Sequence, residues 1–182
     1  GQTRTVVPMD ASSVGPMAVT DWTGDGMLEL FVGGRVIPGK YPAAASSRLY
    51  RQTAKGWEAD NRAGKALTEI GMVSGALWTD VSGDGQAELV LACEWGAVKV
   101  LRLEGGVLKD WDAGVMWKGD WYGRGEGPKR LSDLKGWWTG VTSGDFDGDG
   151  RMDLVVGNWG LNAKYREFLK GGLTVYHGDV SA

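Results

Sequence analysis

The sequence predicts an all-β protein built from repeated antiparallel units. Three observations predict it: one decapeptide occurs three times, each copy runs into a short apolar β-rich segment, and glycine fills 31 of 182 positions, against a usual share of roughly 7%. The glycines are dispersed among apolar runs, which reads as a turn-rich fold and not as a linker.

The first copy is Asp21 to Leu30, the second Asp80 to Leu89 and the third Asp145 to Leu154. Each has an acid at positions 1, 5 and 9, glycine at 4 and 6, leucine at 10 and an apolar residue at 2. The copies start 59 and 65 residues apart, room for one four-stranded unit each. Leu30 to Val32, Leu89 to Ala92 and Leu154 to Val156 read as strands covered on both faces. Val98 to Leu103, closed by Gly105-Gly106, reads as an outer strand in a hairpin with Val107-Leu108. The expected order per unit is strand, acidic loop, strand, turn, strand, turn, strand. Helical signals are thin: Asn162 to Leu169 suits one or two turns, and Ala59 to Thr68 is ambiguous.

Carboxylates crowded into a ten-residue turn repel: two unit charges about 4 Å apart cost on the order of 1 to 4 kcal/mol. A cation resolves this. Oxygen ligands at positions 1, 3, 5 and 9 with a backbone carbonyl at 7 suit Ca²⁺ better than octahedral Mg²⁺. The expected ligands are Asp21, Thr23, Asp25, Met27 and Glu29; Asp80, Ser82, Asp84, Gln86 and Glu88; and Asp145, Asp147, Asp149, Arg151 and Asp153. The glycines admit the positive φ that such wrapping needs. An EF-hand would require a bidentate Glu at position 12, where Val32, Leu91 and Val156 stand instead. The alternative is three Asx-rich turns that use Asp and Gly for turn geometry alone. The loops hold ten of the 23 acidic residues, and three Ca²⁺ would move the formal charge from −3 to +3. The third loop has the most carboxylates and is expected to bind most tightly.

Charge and size exclude several classes. At 182 residues one domain, 1–182, is expected, with repeats starting near residues 15, 74 and 139. No basic block suggests nucleic acid, and no apolar run of membrane-spanning length occurs. Gly1 to Asp10 lacks the features of a signal peptide. Cys93, alone and without a basic neighbour before Lys99, reads as a buried inert thiol. His177 is the single histidine and no Gly-x-Ser-x-Gly elbow is present. Gly123 to Pro128 lacks the features of a phosphate loop. The remaining acids, such as Glu94, Asp120, Glu126 and Asp133, show no pairing in the sequence, so no catalytic residues are assigned and an enzyme is not expected.

The decapeptides, with Phe31 to Gly34, Val155 to Asn158 and Leu77 to Asp80, resemble the FG-GAP or VCBS repeats of integrin α heads and many exported bacterial proteins. Gly33 to Pro42, Gly136 to Trp138 and Gly157 to Tyr165 are similar to phrases of bacterial VCBS proteins related to the cartilage acidic protein group. The resemblance spans about residues 15 to 182. It implies β-propeller blades, about three of them, in which each decapeptide joins the first two strands and holds Ca²⁺, in an extracellular or periplasmic setting. Residues 173–182 look like the start of a fourth repeat, with Asp179 and Ser181 at positions 1 and 3. Three blades leave a ring open, so either a longer parent chain or a homo-oligomer is expected to close it. Thr3 to Val7 is expected to complete a neighbouring blade. The expected function is a calcium-stabilised binding or scaffold module for protein recognition. The alternative is a lectin or polysaccharide-active protein whose indoles stack on sugar, with Trp95, Trp121, Tyr122, Trp137, Trp138 and Trp159 as candidate ligand residues. Trp22 and Trp78 are expected to pack between blades.

Overall fold

The computed structural model describes residues 10–116, 118 and 126–160. These contain ten strands and no α-helix. The first unit is a meander of β1 (Val14–Thr20), β2 (Glu29–Gly34), β3 (Arg48–Thr53) and β4 (Gly56–Ala59). The second repeats it with β5 (Met72–Thr79), β6 (Glu88–Ala97), β7 (Lys99–Glu104) and β8 (Val107–Asp110). The third comprises the antiparallel pair β9 (Lys135–Gly144) and β10 (Asp153–Asn158). In each unit an acidic loop joins the first strand to the second, and the hairpin expected at Gly105-Gly106 joins β7 to β8. The ambiguous stretch from Ala59 holds one 3₁₀ turn, Asn61–Ala63. Thr3 to Val7, Trp121, Tyr122, His177 and residues 162–182 lie outside the described residues.

The apolar runs explain how the units stack. On β6, Leu89, Leu91 and Cys93 join a core with Phe31, Leu49 and Trp22 of the first unit. Val90 points the other way, into a second core with Trp138, Val141 and Leu154 of the third. Alternating side chains thus cover β6 on both faces, and each buried aliphatic contributes about 1.5–3 kcal/mol. Trp22 and Trp78 meet across the first interface, ring centroids 5.4 Å apart. The third run departs from expectation: Val155 is 53% exposed, because β10 has only β9 beside it among the described residues.

The leading strands of successive units lie side by side, β1 against β5 and β5 against β9. A Cβ on Gly75 would come 2.8 Å from Gly140 Cα, so glycine there is what lets two backbones touch. The leading strand of every unit also carries one extra residue in its register, around Gly15–Pro16, at Ser74 and at Thr139. These bulges share one repeat position, six residues before the loop's first acid in the case of Ser74 and Thr139.

Candidate functional site

Each acidic loop is organised from its first aspartate outward. Asp80 Oδ1 accepts the N–H groups of Gly83 (2.7 Å) and Asp84 (3.1 Å), and Oδ2 that of Gly85 (2.8 Å). Asp145 does the same with Gly148, Asp149 and Gly150, and Asp21 with Asp25 and Gly26. The fifth residue accepts the N–H of the seventh in every loop, Met27, Gln86 and Arg151 each donating at 2.9 Å. Both glycines of each loop have positive φ, +71° and +82° in the first, +77° and +87° in the second, +78° and +84° in the third. The ninth residue closes the loop: Glu29, Glu88 and Asp153 accept the N–H of Trp22, Val81 and Phe146 at 2.9 Å.

Electrostatics separate the three loops. In the second, carboxylate oxygens of Asp80, Asp84 and Glu88 lie within 4.8 Å of one another. Glu88 is 1% exposed and no cationic side chain pairs with any of the three among the described residues. Ser82 Oγ donates to Asp80 at 3.4 Å. Some burial pushes the Asp80 carboxyl up, but the amides of Gly85, Gly83 and Asp84 outweigh it and hold it below the usual range. In the third loop Asp145, Asp147 and Asp149 converge equally closely, Asp153 being held by Phe146. Arg151 donates to Asp149 at 2.6 Å and, with its own N–H, holds that carboxyl low.

The first loop is different. Arg51 pairs with Asp25 and lies 3.8 Å from Glu29, while Arg62 donates to Glu29 at 2.7 Å and to Asp60 at 2.5 Å. Asp21, Asp25 and Glu29 do not form a converging group of the kind seen in the other loops. Thr23 Oγ1 is buried with no hydrogen-bond partner. The expected position-3 and position-5 donors are therefore present, yet two guanidinium groups already meet the charge.

The donor sets of the second and third loops fit a hard divalent cation: only oxygen, several carboxylates, and a buried Glu88 with no cationic side chain against it among the described residues.

At the far end of the second strands stands another constellation, only part of which the sequence revealed. Arg35, Glu94 and Trp159 each lie fourteen residues past their loop's first aspartate. Arg35 pairs with Glu94, which is buried. Tyr41 Oη donates to Glu94 Oε1 at 2.6 Å and receives Trp95 Nε1–H at 2.5 Å. Trp95 is tilted 39° against Trp137 with centroids 4.7 Å apart, and Trp137 meets Trp159 edge-on at 4.3 Å. Trp138 points the opposite way, its Nε1 donating to Leu134 O at 2.8 Å and its ring in the second core, so it is a packing residue. Trp121 and Tyr122 lie outside the described residues. Among the described residues the spare acids pair with bases or amides and not with each other: Glu126 with Lys129 at 2.7 Å, Asp133 with the N–H groups of Lys129 and Arg130; Asp120 lies outside the described residues.

Residues 80–156 match a family model described as an FG-GAP-like repeat. That stretch begins at the first acid of the second loop and ends in β10, so it takes in the two loops whose carboxylates converge. No curated protein matches the chain. No helix among the described residues is long and apolar enough to cross a membrane.

Proposed function

We propose that the chain is a segment of a calcium-tied β-propeller that serves as a non-catalytic binding or scaffold module outside the cytoplasm. The observation that carries this reading is the second loop, where Asp80 and Asp84 converge on a buried Glu88 that has no cationic side chain beside it among the described residues. A bound Ca²⁺ would supply the missing charge and tie β5 to β6. The third loop would tie β9 to β10 through Asp145, Asp147 and Asp149. Millimolar calcium outside the cytoplasm would keep such sites filled. The FG-GAP-like match over residues 80–156 supports the reading of the second and third units as blades, and the VCBS-like phrases near Gly33, Gly136 and Gly157 extend it to bacterial exported proteins. Further blades would come from a longer parent chain or a second copy.

Native mass spectrometry with and without calcium tests the proposal. At least two ions per chain, lost on chelation, are expected. A chain that takes up no calcium overturns it and leaves the acidic loops as turns alone.

A further inference from the structure

We infer that the end of the units opposite the acidic loops is a binding site for a neutral oligosaccharide, built by Trp95, Trp137 and Trp159 with Arg35, Tyr41 and Glu94. The inference rests on the chain being a binding module but not on its holding calcium.

The three rings touch in series across two units, a ladder with uneven rungs: Trp95 is tilted 39° to Trp137 at 4.7 Å between centroids, and Trp159 is edge-on to Trp137 at 4.3 Å. They are packed too closely to admit a ligand between them, so a ligand rests on the ladder. Its outermost ring, Trp159, is 48% exposed. Trp95 has a backbone φ of +58°, rare for a bulky residue. It is the extra residue of a bulge, standing between the Glu94–Trp137 and Gly96–Gly136 pairs of β6 and β9. A bulge of this kind re-aims a side chain, and strain at a non-glycine residue is retained where the surroundings hold it for use. Here the Tyr41 hydroxyl and the Trp137 ring hold the indole.

The polar end of the ladder sets the ligand's chemistry. Arg35 and Glu94 neutralise each other, which disfavours an ionic ligand. Hydrogen-bonding capacity remains beside them: Arg35 Nη1 is buried with no partner, the Glu94 carboxylate has accepting lone pairs left, and the Tyr41 hydroxyl, whose proton goes to Glu94, keeps a lone pair on a residue 46% exposed. A pyranose ring meets both demands, its C–H face lying on an indole and its hydroxyls serving as donors and acceptors at the edge. A proline-rich peptide would fit the rings but supplies mainly carbonyl acceptors, with few groups to donate to the lone pairs that Arg35 and Tyr41 leave free on the carboxylate.

Calorimetry and tryptophan fluorescence, with cellohexaose, mannohexaose and maltohexaose as probes and a proline-rich dodecapeptide as comparator, test this in calcium-containing buffer. Saturable binding of at least one hexasaccharide is expected. Trp159→Ala should weaken it about tenfold or more with an unchanged melting midpoint, while Phe146→Ala, an exposed aromatic at the other end, should leave it intact. Glu94→Gln should weaken the same sugar. Failure of all three sugars, binding that survives Trp159→Ala, or binding of the peptide alone would overturn the inference. The number of bound calcium ions stays the same in every outcome, so failure here is separable from failure of the calcium reading.

Discussion

Arg62 reaches back from the 3₁₀ turn after β4 to donate to Glu29 at 2.7 Å, so that the ninth residue of the first loop has a guanidinium where Glu88 of the second has no cationic side chain among the described residues. Glu29 is fully buried. Removing Arg62 leaves the buried carboxylate with only the more distant Arg51 guanidinium at 3.8 Å, and Arg62→Ala is expected to cost about 3 kcal/mol, the low end for breaking a buried pair. Arg51, 42% exposed, should cost no more than about 1 kcal/mol on truncation. Urea unfolding of the two variants at neutral pH checks the difference; equal losses would contradict it.

Glu88→Gln separates the two roles of the second loop. Without calcium the substitution removes a buried charge that only the Val81 and Ser82 N–H groups meet among the described residues, so the variant should be at least as stable as the parent. With calcium at about one hundred times its dissociation constant the parent gains about 2.7 kcal/mol, and the order should reverse. Thermal melts in chelator and in calcium read the crossing, and parallel curves would refute it.

Asp60 controls acid sensitivity near the same turn. Partial burial raises its carboxyl, but the Arg62 side chain and N–H outweigh that and hold it below the usual range. A depressed carboxylate contributes stability that is present above its unfolded value of about 4 and is lost as pH falls through the folded value. Stability should therefore decline below about pH 4, and Asp60→Asn should flatten that decline while lowering stability at neutral pH. Urea midpoints measured from neutral to acid pH give the test.

Cys93 should be silent to thiol reagents until the protein unfolds. Burial pushes its thiol up to about 11, and Cβ positions built on Gly71 and Gly96 fall 3.1 Å from its Sγ and 3.0 Å from its Cβ. Alkylation by iodoacetamide near pH 8 is expected to follow the unfolding rate; fast labelling of the native chain would count against this packing.

Gly75→Ala should destabilise by about 1–3 kcal/mol, since its Cβ would meet the backbone of Gly140 and Val141 at 2.8 Å. A neutral result in denaturant unfolding would mean the two strands can move apart.

The three loops were legible because acid, glycine and leucine recur at fixed spacing within ten residues, and the local hydrogen bonds follow that spacing. Their inequality was not. Arg51 faces Glu29 through the β2–β3 register, and Arg62 arrives from a turn beyond β4, so neither is near the loop in sequence. Adjacent tryptophans posed a different problem: on β9 successive side chains take opposite faces, so Trp137 and Trp138 cannot share one role, and only the direction of the strand decides which packs inward. Arg35 and Glu94 share a repeat position visible in the sequence, but their pairing depends on how two units stand against each other.

Strand β6 pairs with β5 and β7 of its own unit and, at Glu94, Gly96 and Ala97, with β9 of the next. The second and third units are thus joined by a backbone ladder, whereas the described contacts of the first unit with the second are made largely by side chains. Among the described units, the junction held by packing is expected to open under load before the junction held by the ladder.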